Sequence, residues 1–476
     1  MTKFRNYFTN IKENYNKAKE GEGFSFLFTI VIGLGFFTTA ITWSMYNVYI
    51  PTYLDEYLKL NWGELSFAST IIGFIMVLDN ITAVLMQPWI GHISDRIWKR
   101  YSPGKWGRRM PFIVIGIPLG ALFFAMLGLF GTDTFSGNPM TGFILLLLTI
   151  GGFNISMALY RSPVVALMPD LVPKEYRSRG NGLINLMGGV GALVALFILP
   201  IVYRENPLLA YFIVSLVMIF CLIILFFTIT EPEVLKDKEE KEEVKIIQTL
   251  KEFFSQKDKS MIFILFAIFA WFLGYNIIET FFSLYGVNIL QIEKEDASTI
   301  LGVLALMFIL SSVPAGFIAK KIGRKRTILV GLAIILVALV VAAIFSVVAI
   351  PSLQTRTTLL GMDVPYTAFI ILGCFFFSGI GWAFVNINSI VIVWTLAGKE
   401  RVGAGTGIYY FFSASAAIIG PVLIGGIFDL IRYIFGLPAG LQYKTLFFFS
   451  SFFYLVAFVL TLFVKTTGME GEKEEE

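Results

Sequence analysis

Long stretches of apolar residues, unbroken by polar ones, dominate the chain and set its elements. Runs such as 23–53, 116–131 and 261–278 show neither the alternation of a half-buried strand nor the one-sided stripe of a surface helix. A helix that crosses a bilayer needs about 20 apolar residues. On that criterion the pattern predicts twelve spanning helices, near 24–50, 65–90, 111–130, 141–167, 181–203, 209–229, 260–285, 297–319, 326–349, 365–393, 404–428 and 445–464. The predicted architecture is an all-α membrane protein. Its parts are a polar segment 1–23, a six-helix bundle 24–229, a charged linker 230–259, a second six-helix bundle 260–464 and an acidic tail 465–476.

Two polar segments carry a helical stripe. Val244, Ile247, Leu250 and Phe254 in the linker, and Phe4, Phe8, Ile11 and Tyr15 near the start, predict amphipathic helices lying on the membrane surface. The run Glu470–Glu476 reads as a solvated tail.

Composition sharpens the class. Hydrophobic residues make up 57% and charged residues 15% of the chain, against about 25% charged in ordinary globular proteins. That leaves too little polar surface for a soluble enzyme, a nucleic-acid binder or a disulfide scaffold. Cys221 and Cys374 sit inside apolar runs and read as buried thiols. With a single histidine, His92, no His-rich metal site is expected, and no cofactor is implied. The first apolar run is too long for the core of a cleavable signal.

Charge orients the spans. With the termini on one side, that side collects 30 of the Lys and Arg residues. The other collects six: Lys59, Arg204, Lys294, Arg356, Arg432 and Lys444. The positive-inside rule then places both termini in the cytoplasm of a cell membrane. Arg161 remains inside a span.

The halves repeat. Gly91 and Gly316, Lys174-Glu175 and Lys399-Glu400, and Gly180-Asn-Gly182 and Gly405-Thr-Gly407 are each 225 residues apart, and Tyr46-Asn47 matches Tyr275-Asn276 at 229. A parallel duplication of six helices implies two halves around a central cavity and alternating access to it.

After the second span come Gly91-His-Ile-Ser-Asp95-Arg96 and, beyond an insert of ten residues, Gly107-Arg108-Arg109. The second copy, Gly316-Phe-Ile-Ala-Lys-Lys-Ile-Gly323-Arg324-Lys325-Arg326, lacks the Asp. Glycine permits close helix approach and an Asp among arginines accepts charge-assisted hydrogen bonds. This loop resembles the cytoplasmic signature of the major facilitator superfamily, which implies the major facilitator fold and a gating role as a latch between the halves.

The insert, Met110-Pro111-Phe112 after it, Asp79-Asn80 before Gln87-Pro88, Tyr160-Arg161-Ser-Pro163 with Asp170, Glu279-Thr-Phe-Phe-Ser-Leu-Tyr285 and Gly379-Ile-Gly-Trp382 with Asn386 and Asn388 extend the likeness. Together they resemble sugar–cation symporters of the glycoside–pentoside–hexuronide type and plant sucrose–proton symporters.

Charges inside spans are costly, by about 3 kcal/mol each on the mildest scale, and therefore mark function. Asp79 near the middle of the second span suits a group that takes and releases a proton, and it matches the family's cation site by position. The sodium-coupled members gather several carboxylates. This chain has one in the second span and none in the fourth, where Asn154 offers neutral oxygen, so a proton is favoured over Na⁺.

Arg161 is expected to meet Asp79 or sugar hydroxyls, or to reach the headgroups. Glu279, with Asn276, Asn47, Tyr46, Asn386 and Trp382, supplies hydrogen bonds and aromatic faces for a sugar. The expected function is import of a sugar or glycoside, of disaccharide size, with a coupling cation. Partners are the lipid bilayer and the small molecule, with no nucleic acid, and a monomer is expected. Alternatives are an exporter of small organic molecules or drugs by proton antiport and a non-transporting membrane receptor or scaffold. The intramembrane charges speak against the last, and no motif supports an enzyme.

Overall fold

The computed structural model describes residues 16, 23–97, 107–132, 138–231, 258–348, 351–359, 362–398 and 401–465. Among the described residues, twelve helical spans are long and apolar enough to cross a membrane. The two amphipathic segments and the acidic tail expected from the sequence lie outside the described residues.

α1 (Phe26–Trp62) forms the first span. It runs beyond the predicted end at residue 50, straight through Pro51. Proline removes one helical hydrogen bond, and spanning helices tolerate it where nearby hydroxyls rejoin the backbone. The carbonyl left without that donor is Asn47's, and the Thr52 hydroxyl donates two residues further on, through Oγ1 to the Tyr49 carbonyl at 2.7 Å. The second span runs continuously through Ala68–Ser94, as expected, with a single turn residue, Val77, separating α2 (Ala68–Met76) from α3 (Leu78–Ile97).

α4 (Met110–Gly131), α5 (Pro139–Leu171), α6 (Arg177–Leu193) and α7 (Leu199–Glu205) follow, then α8 (Pro207–Thr228). A wide π-type turn, Val194–Ile198, joins α6 to α7 just before Pro200, whose nitrogen has no hydrogen to donate. Asn138 and Asn206 cap α5 and α8 by accepting from Met140 N and Leu209 N.

The last six spans comprise α9 (Ser260–Tyr285), α10 (Lys294–Ile322), α11 (Arg324–Val347), α12 (Tyr366–Ala397), α13 (Val402–Phe435) and α14 (Leu446–Leu462). A hairpin, β1 (Arg356–Leu359) with antiparallel β2 (Met362–Pro365), precedes α12. Gly323, between α10 and α11, has φ +89°, a backbone state that glycine adopts without strain.

Two compact units emerge. The first contains the described residues up to Tyr46 and from Leu78 to Glu231; the second contains Asn47–Val77 and the described residues from Asp258 onward. In the first, α4 packs on α5 and α8, and α3 on α5; in the second, α12 packs on α10 and α11, α9 on α13 and α14, and α2 on α13. Many apolar side chains point outward, Leu148 at 67% and Leu216 at 69% exposure among them. On a spanning helix these are the faces that lipid covers.

Candidate functional site

In the first unit, three helices bring polar groups into an apolar interior. Asp79 stands in the first turn of α3, just after the turn residue Val77, and is 8% exposed. Its Oδ1 accepts from Asn80 Nδ2 at 2.8 Å. Tyr46 of α1 and Asn154 of α5 are buried, and the Tyr46 hydroxyl and both atoms of the Asn154 amide have no hydrogen-bond partner. These two groups face each other without reaching hydrogen-bonding geometry.

The charge of Asp79 acts on the Tyr46 hydroxyl and on Arg161. Arg161 is partly buried on α5, seven residues after Asn154 and so on the same face. Trp43 stacks on Tyr46 with centroids 5.2 Å apart, and Tyr46 on Phe153 at 5.6 Å, walling the cluster with rings. Sequence reasoning named Asp79, Arg161 and Tyr46. It treated Asn154 only as a poor substitute for a carboxylate, and the unpaired amide gives it a larger place.

In the second unit, Glu279 of α9 accepts from Asn47 Nδ2 of α1 at 3.1 Å. Tyr275, Asn276 and Glu279 are partly buried and share one stretch of α9. The Asn276 amide donates to its own helix, at Phe272 O and 2.7 Å, which leaves its oxygen to accept. Trp382 of α12 is only 5% exposed, and Tyr275 lies flat on it with centroids 4.6 Å apart and planes 9° apart. Phe272 meets the same indole edge-on at 5.4 Å. The more open ring of the stack is Tyr275.

Asn386 is partly buried on α12, whereas Asn388 is buried and donates to Phe384 O at 2.9 Å. Tyr409 hydrogen-bonds Ser389 at 3.1 Å, while Tyr410 is 59% exposed.

The loop motif builds a charged brace within the first unit. Gly91 faces α5 at ordinary contact distance: a Cβ there would sit 3.4 Å from Ser162 Oγ. Its counterpart Gly316 has open space beside it, so the second copy lacks that contact. The side chains of Asp95 and Arg96 lie outside the described residues.

Arg108 and Arg109 both pair with Asp170 at the end of α5, Arg109 through Nε to Oδ2 at 3.0 Å. Arg109 also donates to Ser94 Oγ at 2.7 Å. Glu231 caps the start of α4, accepting from Arg109 N at 2.9 Å and Met110 N at 2.7 Å. A Cβ on Gly107 would lie 2.5 Å from Glu231 Cδ, so glycine is required for this carboxylate to reach the helix. Burial pushes the Glu231 carboxyl above the ordinary carboxylate range, against the pull of its backbone donors. The sequence placed Glu231 in a charged linker; the Glu-Pro pair directly after an apolar span was the available signal.

Twelve spans in two six-helix halves, with a glycine–arginine brace between the second and third spans, define a secondary-transporter fold. The Major Facilitator Superfamily profile matches residues 32–421, and the chain belongs to that superfamily as a multi-pass membrane transporter. Among solved structures, the nucleoside transporter NupG superposes with a TM-score of 0.63 at 14% identity, covering 92% of this chain and 99% of that one.

The Staphylopine export protein of Staphylococcus aureus (strain Mu50 / ATCC 700699) is 24% identical over 265 residues, 52% of this chain and 60% of its own length. The Sucrose transport protein SUC3 of Arabidopsis thaliana is 23% identical over 143 residues, 27% of this chain and 23% of its own. The matches thus span less than two thirds of either curated relative.

Proposed function

We propose that the chain is a cation-coupled importer of a sugar or glycoside, working by alternating access with both termini in the cytoplasm of the cell membrane. The observation that carries this reading is Asp79: a buried carboxylate whose charge reaches Arg161 and which lies beside the unpaired Tyr46 and Asn154 groups. A carboxylate inside a span is costly, and a group that binds and releases a cation is one that repays that cost. A single carboxylate suits a proton; dehydrated Na⁺ takes more oxygens than this cluster provides as charged ligands.

On the sugar side, Glu279 and Asn47 offer a charged acceptor and an amide, and Tyr275, backed by Trp382, offers a ring for the C–H face of a pyranose. Asn276, through its free oxygen, and Asn386 complete the polar set. The likeness to a sucrose transport protein supports this substrate class. The loop residues Gly91, Asp95, Arg96, Gly107, Arg108 and Arg109 are assigned to gating, and the protein to a monomer.

The likeness to a staphylopine export protein favours a second reading, export of a small organic molecule by proton antiport. Both are tested in proteoliposomes with a panel of labelled sugars, under an imposed proton gradient, a sodium gradient or none. Uphill sugar uptake driven by protons is expected. Uptake of no sugar, with proton-driven efflux of a small organic molecule instead, would establish the exporter.

A further inference from the structure

The second unit holds a buried contact that the substrate and cation assignments leave unused. The first backbone N–H groups of α2 have no acceptors within their own helix. Asp429 of α13 supplies them: Oδ1 accepts from Ser69 N at 3.1 Å, and Oδ2 from Thr70 N at 2.7 Å and Thr70 Oγ1 at 2.6 Å. Asp429 is 6% exposed. Its charge meets the positive end of α2 and three donors in a dry environment, where such bonds are strong.

The same two helices touch backbone to backbone. A Cβ on Gly425 would collide with the Ser69 carbonyl, and one on Gly73 with the Pro421 carbonyl. Two further ion pairs of this unit, Lys294–Glu56 at 2.5 Å and Arg432–Glu64 at 2.7 Å, have carboxylates that are 43% and 67% exposed and are screened by water.

We propose that Asp429 is the latch that holds α2 on α13 at the end of the helices opposite the chain termini, and that its release opens the transporter on that side. α2 belongs to the second span of the N-terminal half of the sequence and α13 to the C-terminal half, so this grip joins helices from both halves of the chain. α2 also ends two residues before Leu78-Asp79, so a movement of α2 is passed along the chain to the turn that carries the cation-site carboxylate. The place of the latch in a transport cycle rests on the alternating-access reading; the latch itself is measured without transport.

The test uses the full chain with Cys221→Ala and Cys374→Ala, and a reporter thiol at Ser69→Cys, a position with 0% exposure. Its reaction with a membrane-impermeant thiol reagent is timed on intact cells and on inverted vesicles. Gly425→Ala, which forces the helices apart and leaves the carboxylate in place, sets the rate of an opened contact. Asp429→Asn keeps the volume, turns an amide donor toward backbone donors, and should raise labelling about tenfold. An opened contact in Gly425→Ala with background labelling in Asp429→Asn overturns the latch.

Should Asp429→Asn fail to fold, Thr70→Val, which removes one donor, decides: a rise of about threefold supports the latch, and an unchanged rate overturns it. A rise seen from inverted vesicles alone supports the latch and reverses the proposed orientation.

Discussion

At the scale of single residues, three intramembrane charges carry the transport proposal and each has its own readout. Asp79→Asn keeps the shape of the cluster and removes its titration. The variant should lose accumulation against a gradient while retaining downhill flux or exchange, and wild-type accumulation would dismiss Asp79 as the cation site. Arg161→Lys keeps the charge and loses the planar fork. A substrate-holding arginine should fail this exchange, and one that only reaches the headgroups should tolerate it.

Glu279→Gln preserves one acceptor and should weaken a charge-assisted sugar hydrogen bond by about 1–2 kcal/mol, roughly tenfold in affinity. Direct binding to the purified protein measures it. Glu231 predicts a pH effect. Its folded-state carboxyl is raised above the unfolded value, so its contribution to stability is full below the ordinary carboxylate range and is lost as pH rises through the raised value. Melting curves in detergent should show the wild type losing ground to Glu231→Gln as pH climbs. Parallel curves would show that the carboxyl does not titrate there.

At the scale of elements, close helix approach is bought with glycine, and the cost of a methyl group can be measured. Gly331 of α11 and Gly381 of α12 face each other: a Cβ on either would stand 2.6 Å from the other's carbonyl oxygen. Gly381→Ala must separate the helices or bend them, and should destabilise by about 1–3 kcal/mol. A thermal shift in detergent reads this, and an unchanged midpoint would mean that the helices adjust freely.

The existence of all twelve spans was legible in the sequence, because bilayer thickness demands long apolar runs and nothing else in the chain competes with that signal. Their ends were less so. The apolar pattern stops α1 near residue 50, but the helix continues through Asp55, Glu56 and Lys59, and α13 continues through Asp429 and Arg432, because polar contacts within the second unit satisfy these side chains. The turn at Val77 has no sequence signal of the Pro or Gly kind.

At the scale of the whole molecule, gating and chemistry should separate. Asp95→Asn alters the loop motif and not the polar clusters, so transport should slow while substrate binding on purified protein stays within about twofold, a shift in conformational populations rather than in contacts. A large loss of affinity would place the loop at the substrate instead.

The sequence by itself determined the class, the number of spans, the pseudo-repeat and the costly charges Asp79, Arg161 and Glu279, because each follows from solvation: apolar length, glycine spacing and isolated charge are local properties of a chain. Only the tertiary structure decided which groups meet. It set Asn154 unpaired beside Tyr46, laid Tyr275 over Trp382, gave Asp170 and Glu231 to the loop arginines, and gave Asp429 to the start of α2. Those pairings join residues 61 to 360 positions apart, and hydrogen bonds act only at about 3 Å, so their partners are fixed by helix packing and leave no trace in the order of the residues.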